Sequence, residues 1–205
     1  MTVKEYHIKY FNEILENKKE YQEKIVKFIL KFMTNIKNND TVNWSEIEKT
    51  LNDYIYSSLA ETLSSSLSLV KEAYGIKNKK LNLKELTWQE DGKTIEDRIH
   101  SYCYGVKELV STTDEAILKR LLVYNMTRLL DTETIVIHNC SVRQLLEGDI
   151  EYAEVLNGDE CCEDCEIHFS QGKIPIADLE LPPYHPDCEC YVIYYLREKG
   201  ESNES

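Results

Sequence analysis

Cys162-Glu163-Asp164-Cys165, then nineteen residues, then His185-Pro186-Asp187-Cys188-Glu189-Cys190, preceded by Pro182-Pro183-Tyr184, is the stretch on which the reading of the chain turns. Two thiols separated by two residues have the spacing with which a tight turn aims two thiolates at one ion. The second cluster, approached through stiff prolines, closes a tetrahedral set. A mixture of thiolates and one imidazole suits zinc, and four protein ligands leave no position for a substrate water. The spacing predicts a structural Zn2+ held by four of five residues: Cys162, Cys165, His185, Cys188 and Cys190. Which four is left open.

Three other readings compete. Disulfides belong to oxidising compartments, and nothing in the sequence suggests secretion. Unliganded buried cysteines occur singly, but five ligand-type residues in two clusters are a poor match for that. A redox Cys-x-x-Cys wants a βαβ setting and a helix N-terminus, which the acidic Cys162–Cys165 stretch is not expected to provide. Cys161 is the weakest thiol, being next to a better-spaced neighbour. His168 reads as a surface loop residue, and Cys103 and Cys140 as small core residues in helices. His7, His100 and His138 stand alone and receive no role.

Around the cluster the composition changes. All four prolines and four of the seven glycines lie beyond Glu147, and five of the seven cysteines lie beyond Asp159. The segments 152–156 and 191–196, rich in Val, Ile and Tyr, are expected strands. A loop-rich module of this size has little core and needs a staple.

Upstream the pattern is helical. Ile8, Phe11, Leu15, Ile25, Ile29, Phe32 and Ile36 recur at spacings of three and four, interrupted at Lys18 and Gln22, and predict one helix over 4–39 that Asn-Asn-Asp at 38–40 ends. A second helix starts at Asn43, where Glu46 suggests a capping box, and stops at Gly75. Its stripe is Ile47, Leu51, Tyr54, Ile55, Leu59, Leu63, Leu67 and Val70, with Ser64-Ser65-Ser66 as a polar or close-packing face. The polar stretch 76–94, with Asn-Lys-Lys at 78–80 and Asp91-Gly92, is the expected domain boundary. Helices follow over 95–110 and 113–137, with a separate short one over 141–146. The fold class expected is α+β: a mainly helical N-terminal region of two long helices over 1–85, a zinc-stapled α+β module with short strands over 86–197, and a loose polar tail over 198–205.

The net charge of −13 is uneven. Residues 1–85 carry 14 Lys and Arg against 12 Asp and Glu, and residues 86–205 carry 10 against 25. An acidic surface repels nucleic-acid phosphates, so any DNA contact is expected from the N-terminal half. No apolar run approaches the ~20 residues needed to span a bilayer, and the start Met1-Thr-Val-Lys-Glu-Tyr6 lacks the apolar stretch of a signal peptide. A soluble protein made in a reducing compartment is expected, with no membrane partner.

From Trp88 to Tyr195 the sequence resembles the Mu-F-type head morphogenesis domain of tailed-phage minor capsid proteins. Trp88-x2-Asp91-Gly92-Lys93-Thr94-Ile95-Glu96-Asp97-Arg98-Ile99 is similar to that family's opening. Arg128-Leu-Leu-Asp-Thr132-Glu133-Thr134, followed by Asn139, is similar to its Thr-Glu helix. Ile150-Glu-Tyr152-Ala153 leads through Asp159 to the cysteine pair, and Gly172-Lys173 precedes a Pro-Pro-x-His-Pro-x-Cys-x-Cys ending at 182–190. The family commonly has Arg between the last two cysteines, where this chain has Glu189. The resemblance implies a minor head protein, associated with the portal protein and other head proteins and touching packaged DNA only weakly. It would sit in the head interior or at the portal vertex of the virion, and in the host cytoplasm during assembly.

Arg128 and Glu133 are read as a candidate structural ion pair. No nucleophile, base and orienting group stand out together, so no catalytic residue is assigned. The competing functions are a zinc-dependent enzyme of toxin or hydrolase type and a zinc-ribbon nucleic-acid binder. A zinc deaminase would show His-x-Glu and Pro-Cys-x-x-Cys, and neither is present. A nucleic-acid binder is opposed by the acidic C-terminal half. The wide apolar stripes of the first two helices, with Tyr6, Tyr10 and Tyr21 beside them, could bury one another, but residues 1–85 are expected to dock on a protein partner, the portal, while the acidic module faces solvent or the head interior.

Overall fold

The computed structural model describes residues 1–37, 42–77, 80–87, 92–157, 162–185 and 188–197. The expected helix end at 38–40, the Asn-Lys at 78–79, Trp88, Asp91, Asp159, Cys161, Pro186-Asp187 and the tail 198–205 lie outside them.

Two long helices, α1 (Val3–Lys37) and α2 (Trp44–Tyr74), pack side by side. Asn43 caps α2 by accepting from the Glu46 N–H, and Gly75 ends it in the left-handed region at φ 70°, where a side chain would be strained. A single turn, α3 (Leu83–Leu86), is capped by Asn82 inside the stretch expected to be irregular. Then α4 (Ile95–Leu109) begins at a capping box in which Thr94 and Asp97 satisfy each other's backbone N–H groups.

The two helices expected over 113–137 and 141–146 are one, α5 (Glu115–Leu146), capped by Asp114. The gap expected at 138–140 is helical: His138 and Asn139 are buried and bonded across the fold, and no Gly or Pro interrupts the run. Tertiary partners override the local pattern here.

The C-terminal part adds β1 (Ile150–Leu156), α6 (Glu163–Phe169), β2 (Lys173–Pro175) and β3 (Tyr191–Leu196). Together they form a three-stranded antiparallel sheet of order β2-β1-β3. Both expected strands are present. β2 and α6 are too short to leave a periodic signal. The molecule is thus helical with one small sheet, the α+β class expected.

Apolar packing runs across position 85. Ile25, Ile29 and Leu51 share a core with Ile99, Leu122 and Met126. Tyr10, Leu69 and Val70 join Leu145, Val155 and Val192 in a second, and Phe11 stacks on Tyr191 with ring centres 4.1 Å apart in a third. Apart from Ile8, which is exposed, the described stripe residues of α1 and α2 therefore pack against one another and α5. Tyr10 and Tyr21 are inside, and Tyr6 is half-buried, so these rings are spent on the chain's own core. Among the described residues no helix is long and apolar enough to cross a membrane.

The two polar positions that interrupt the α1 stripe have a shared reason. Lys18 Nζ lies 2.8 Å from Asp131 Oδ1 and 2.9 Å from Glu189 Oε1, and Gln22 Nε2 donates to the same Asp131 carboxylate at 2.9 Å. Glu189, the position that departs from the resembled family, is thus a partner of α1. Ser66 answers the Ser-Ser-Ser question in favour of close packing. It is buried, its Oγ donates to the Thr62 carbonyl, and it lies 2.9 Å from His138 Nδ1.

Candidate metal centre

Strand register brings the two halves of the cysteine pattern together. β1 and β3 pair antiparallel with Leu156 opposite Tyr191, so the chain leaving β1 and the chain entering β3 emerge side by side. The first carries Cys162 and Cys165, and the second carries His185, Cys188 and Cys190. A separation of nineteen residues in sequence becomes contact distance in space.

Within this corner His185 Nε2 lies 3.0 Å from both Cys162 Sγ and Cys165 Sγ, and Cys165 Sγ lies 3.7 Å from Cys188 Sγ. A tetrahedral site with Zn–S bonds of ~2.3 Å has sulfur–sulfur edges of roughly 3.8 Å, so the Cys165–Cys188 distance fits one edge. The ligand atoms of Cys162, Cys165 and His185 lie within 4.8 Å of one another, and so do those of Cys165, Cys188 and Cys190. All five expected ligands are gathered, and Cys165 is common to both sets. These residues could hold a metal ion.

Cys162 sits at the N-cap of α6, where its sulfur accepts from the Cys165 backbone N–H at 3.5 Å. The sequence reading expected no helix N-terminus at this pair, because a seven-residue helix carries too few apolar positions to be seen. That N–H is also the main reason the Cys162 thiol is held below its ordinary pKa. A hydrogen bond from the Cys190 thiol pulls Cys188 down to about 5, and the same bond pushes Cys190 up. Burial pushes Cys165 up to about 12. Two thiols drawn toward the thiolate, Cys162 and Cys188, beside Cys165 and Cys190, which burial and the bond to Cys188 respectively keep protonated, are a set that a divalent cation would complete by displacing the remaining protons.

Support comes from α5. Asn139 Nδ2 donates to the Cys190 carbonyl at 3.2 Å, and its Oδ1 accepts from the Val192 N–H at 3.1 Å. The next stretch of the same strand edge is held by Tyr74, whose OH donates to the Tyr194 carbonyl and accepts from its N–H. That OH also lies 2.7 Å from His7 Nε2. Two side chains thus stand in for a neighbouring strand along the outer edge of β3. Residue spacing offers no signal for these links, because the partners are separated by 51 to 120 positions.

The remaining candidates lie elsewhere. His168 does not join the thiols. Its ring stacks on Tyr184 with centres 3.7 Å apart. Cys103 is buried in the α4–α5 core, and Cys140 is half-buried. Of the expected Arg128–Glu133 pair, Glu133 is fully buried and Arg128 half-buried. Residues five apart on a helix project roughly 140° from each other, and Arg128 donates to the Tyr124 OH at 3.1 Å. Glu133, with Thr132 and Thr134, is buried in the helical core. Compared with known proteins, the chain matches no family model, no curated protein and no solved structure.

Proposed function

We propose that the Cys/His cluster is a structural zinc clip and that the chain is a non-enzymatic assembly protein, a minor head protein of the Mu-F type that associates with a phage portal. The observation that carries the reading is the double hydrogen bond from Asn139 to Cys190 and Val192. It joins two stretches of the family resemblance, the Thr-Glu helix and the more specific Cys-x-Cys ending, through one side chain with a mechanical job.

Other motif residues also have mechanical rather than chemical surroundings. Thr94 and Asp97 close a cap, Thr132 to Thr134 are buried, and Glu189 is tied to Lys18. The donor set favours a closed site, because four thiolate or imidazole ligands fill a zinc tetrahedron and Cys165, Cys188 and Cys190 are buried. Thiolates select zinc over harder divalent cations.

The partner half of the proposal is tested by co-expressing the full chain with the portal protein encoded nearest to it and purifying through a tag on the portal. Retention of the chain through gel filtration is the expected outcome. Elution of the two as separate species, with the chain folded and metal-loaded, would refute the portal assignment and leave the zinc clip standing.

A further inference from the structure

α5 is apolar on two faces along its first half. Leu118, Leu122, Met126 and Leu129 enter the shared core. Ile117, Leu121 and Tyr124 point away from it and are 59%, 38% and 50% exposed. With Arg128 they follow a four-three-four spacing, which is the seam on which a second helix packs. Arg128 donates to the Tyr124 OH at 3.1 Å and lies 5.6 Å from the centre of that ring, which fixes the tyrosine on the seam.

Between Glu115 and Asp131 the charges on α5 have one sign. Residues 116–130 contain Lys119, Arg120 and Arg128 and no Asp or Glu, in a half of the chain that carries 10 basic against 25 acidic residues. Lys119 is paired with Glu115 at the start of the helix, and Arg120 is exposed beside Leu121. A second copy of the same seam would set like charges against each other. The complement is an apolar seam flanked by carboxylates.

We propose that the Ile117-Leu121-Tyr124-Arg128 face of α5 is a docking seam for an acidic amphipathic helix of a partner protein. Binding is driven by the three apolar side chains and given polarity by Arg120 and Arg128. The seam is separate from the metal corner and from the buried faces of α1 and α2.

The test uses the full metal-loaded chain and two synthetic helical peptides of about three heptads. Both carry Leu at the a and d positions, one with Glu and the other with Lys at e and g. Fluorescence anisotropy should show the Glu peptide binding at least about tenfold more tightly than the Lys peptide, with the difference shrinking as salt rises. Leu121→Asp should weaken the Glu peptide by at least about tenfold, while Ile8→Asp on the exposed face of α1 should leave it unchanged. Arg120→Glu alters only charge, so it decides the matter if Leu121→Asp does not fold. It should narrow or reverse the preference between the peptides. Absence of binding, equal binding of the two peptides, or indifference to these seam variants would overturn the proposal. So would a wild-type dimer that Leu121→Asp separates, because the occupant would then be a second copy.

Discussion

Asn139 on α5 holds Cys190 and Val192 by the backbone, 3.2 Å from the carbonyl of one and 3.1 Å from the N–H of the other. The helical core thereby fixes the height at which β3 leaves the metal corner. Removing the side chain leaves a buried donor and a buried acceptor without partners, each costing about 1–3 kcal/mol. Asn139→Ala is expected to lower the melting temperature and to make the metal easier to extract by a chelator. If melting and extraction both match the wild type, the clamp has no mechanical role.

Lys18 bridges α1 to α5 and to the metal loop through Asp131 and Glu189. Burial works to lower the ammonium pKa, but the two carboxylates outweigh it and the net shift is upward. The carboxylates retain some exposure, so Lys18→Met should cost roughly 1–3 kcal/mol, below the 3–5 of a fully buried pair. Lys24→Met, which removes a surface partner of Glu20 that water screens, should cost less than Lys18→Met. Urea unfolding of the two variants compares them directly, and equal losses would contradict the bridging role.

His7 and His138 are buried and neutral. Burial, and secondly the nearby His138, lowers His7 to about 3, and burial lowers His138 to about 4. Unfolded, each takes up a proton near 6.5. The unfolded chain therefore binds protons that the fold refuses. Their contribution is fully present above about pH 6.5 and is lost progressively as pH falls toward the folded values, by up to about 1.4 kcal/mol per pH unit for each ring. Between pH 6.5 and 5, His7→Gln should show a shallower loss of stability than the wild type. Parallel slopes would mean that His7 is not buried in its neutral form.

Much of this architecture was legible in the residues. The caps at Asn43 and Gly75, the stripe Ile47-Leu51-Ile55-Leu59 and the β-branched 191–196 run each act within a few positions, so local spacing records them. The five ligand residues were legible for the same reason within each cluster. Joining the clusters needed only the antiparallel pairing of the two expected strands. What escaped notice acts at long range. Lys18 read as a flaw in a stripe because its partners are 113 and 171 positions away (131 − 18 and 189 − 18). Residues 138–140 fell between two expected helices because the buried partners of His138 and Asn139, Ser66 and the edge of β3, lie on other elements. α6 was missed because seven residues hold less than two periods of a helix.

Glu133, read from the sequence as half of an ion pair, is fully buried on α5. Glu133 is not without a partner in the fold, and replacing it with Ala leaves that partner unsatisfied at a buried position, so a loss of about 1–3 kcal/mol is expected. Arg128→Ala, on the exposed side of the same helix, should cost less than about 1 kcal/mol. Equal and small effects on the midpoint of urea unfolding would contradict the buried position of Glu133.

The central claim is the zinc clip, and elemental analysis of freshly purified, reduced full-length protein addresses it most directly. One zinc per chain is expected, because a single tetrahedral ion is the most that five donors sharing Cys165 can close around. Cys165→Ser, which removes the ligand common to both sets, should abolish the metal and loosen the β1–β3 sheet. Cys103→Ser, in the helical core, should keep it. Zinc-free wild-type protein with its sheet intact, or full zinc content in Cys165→Ser, would contradict the account.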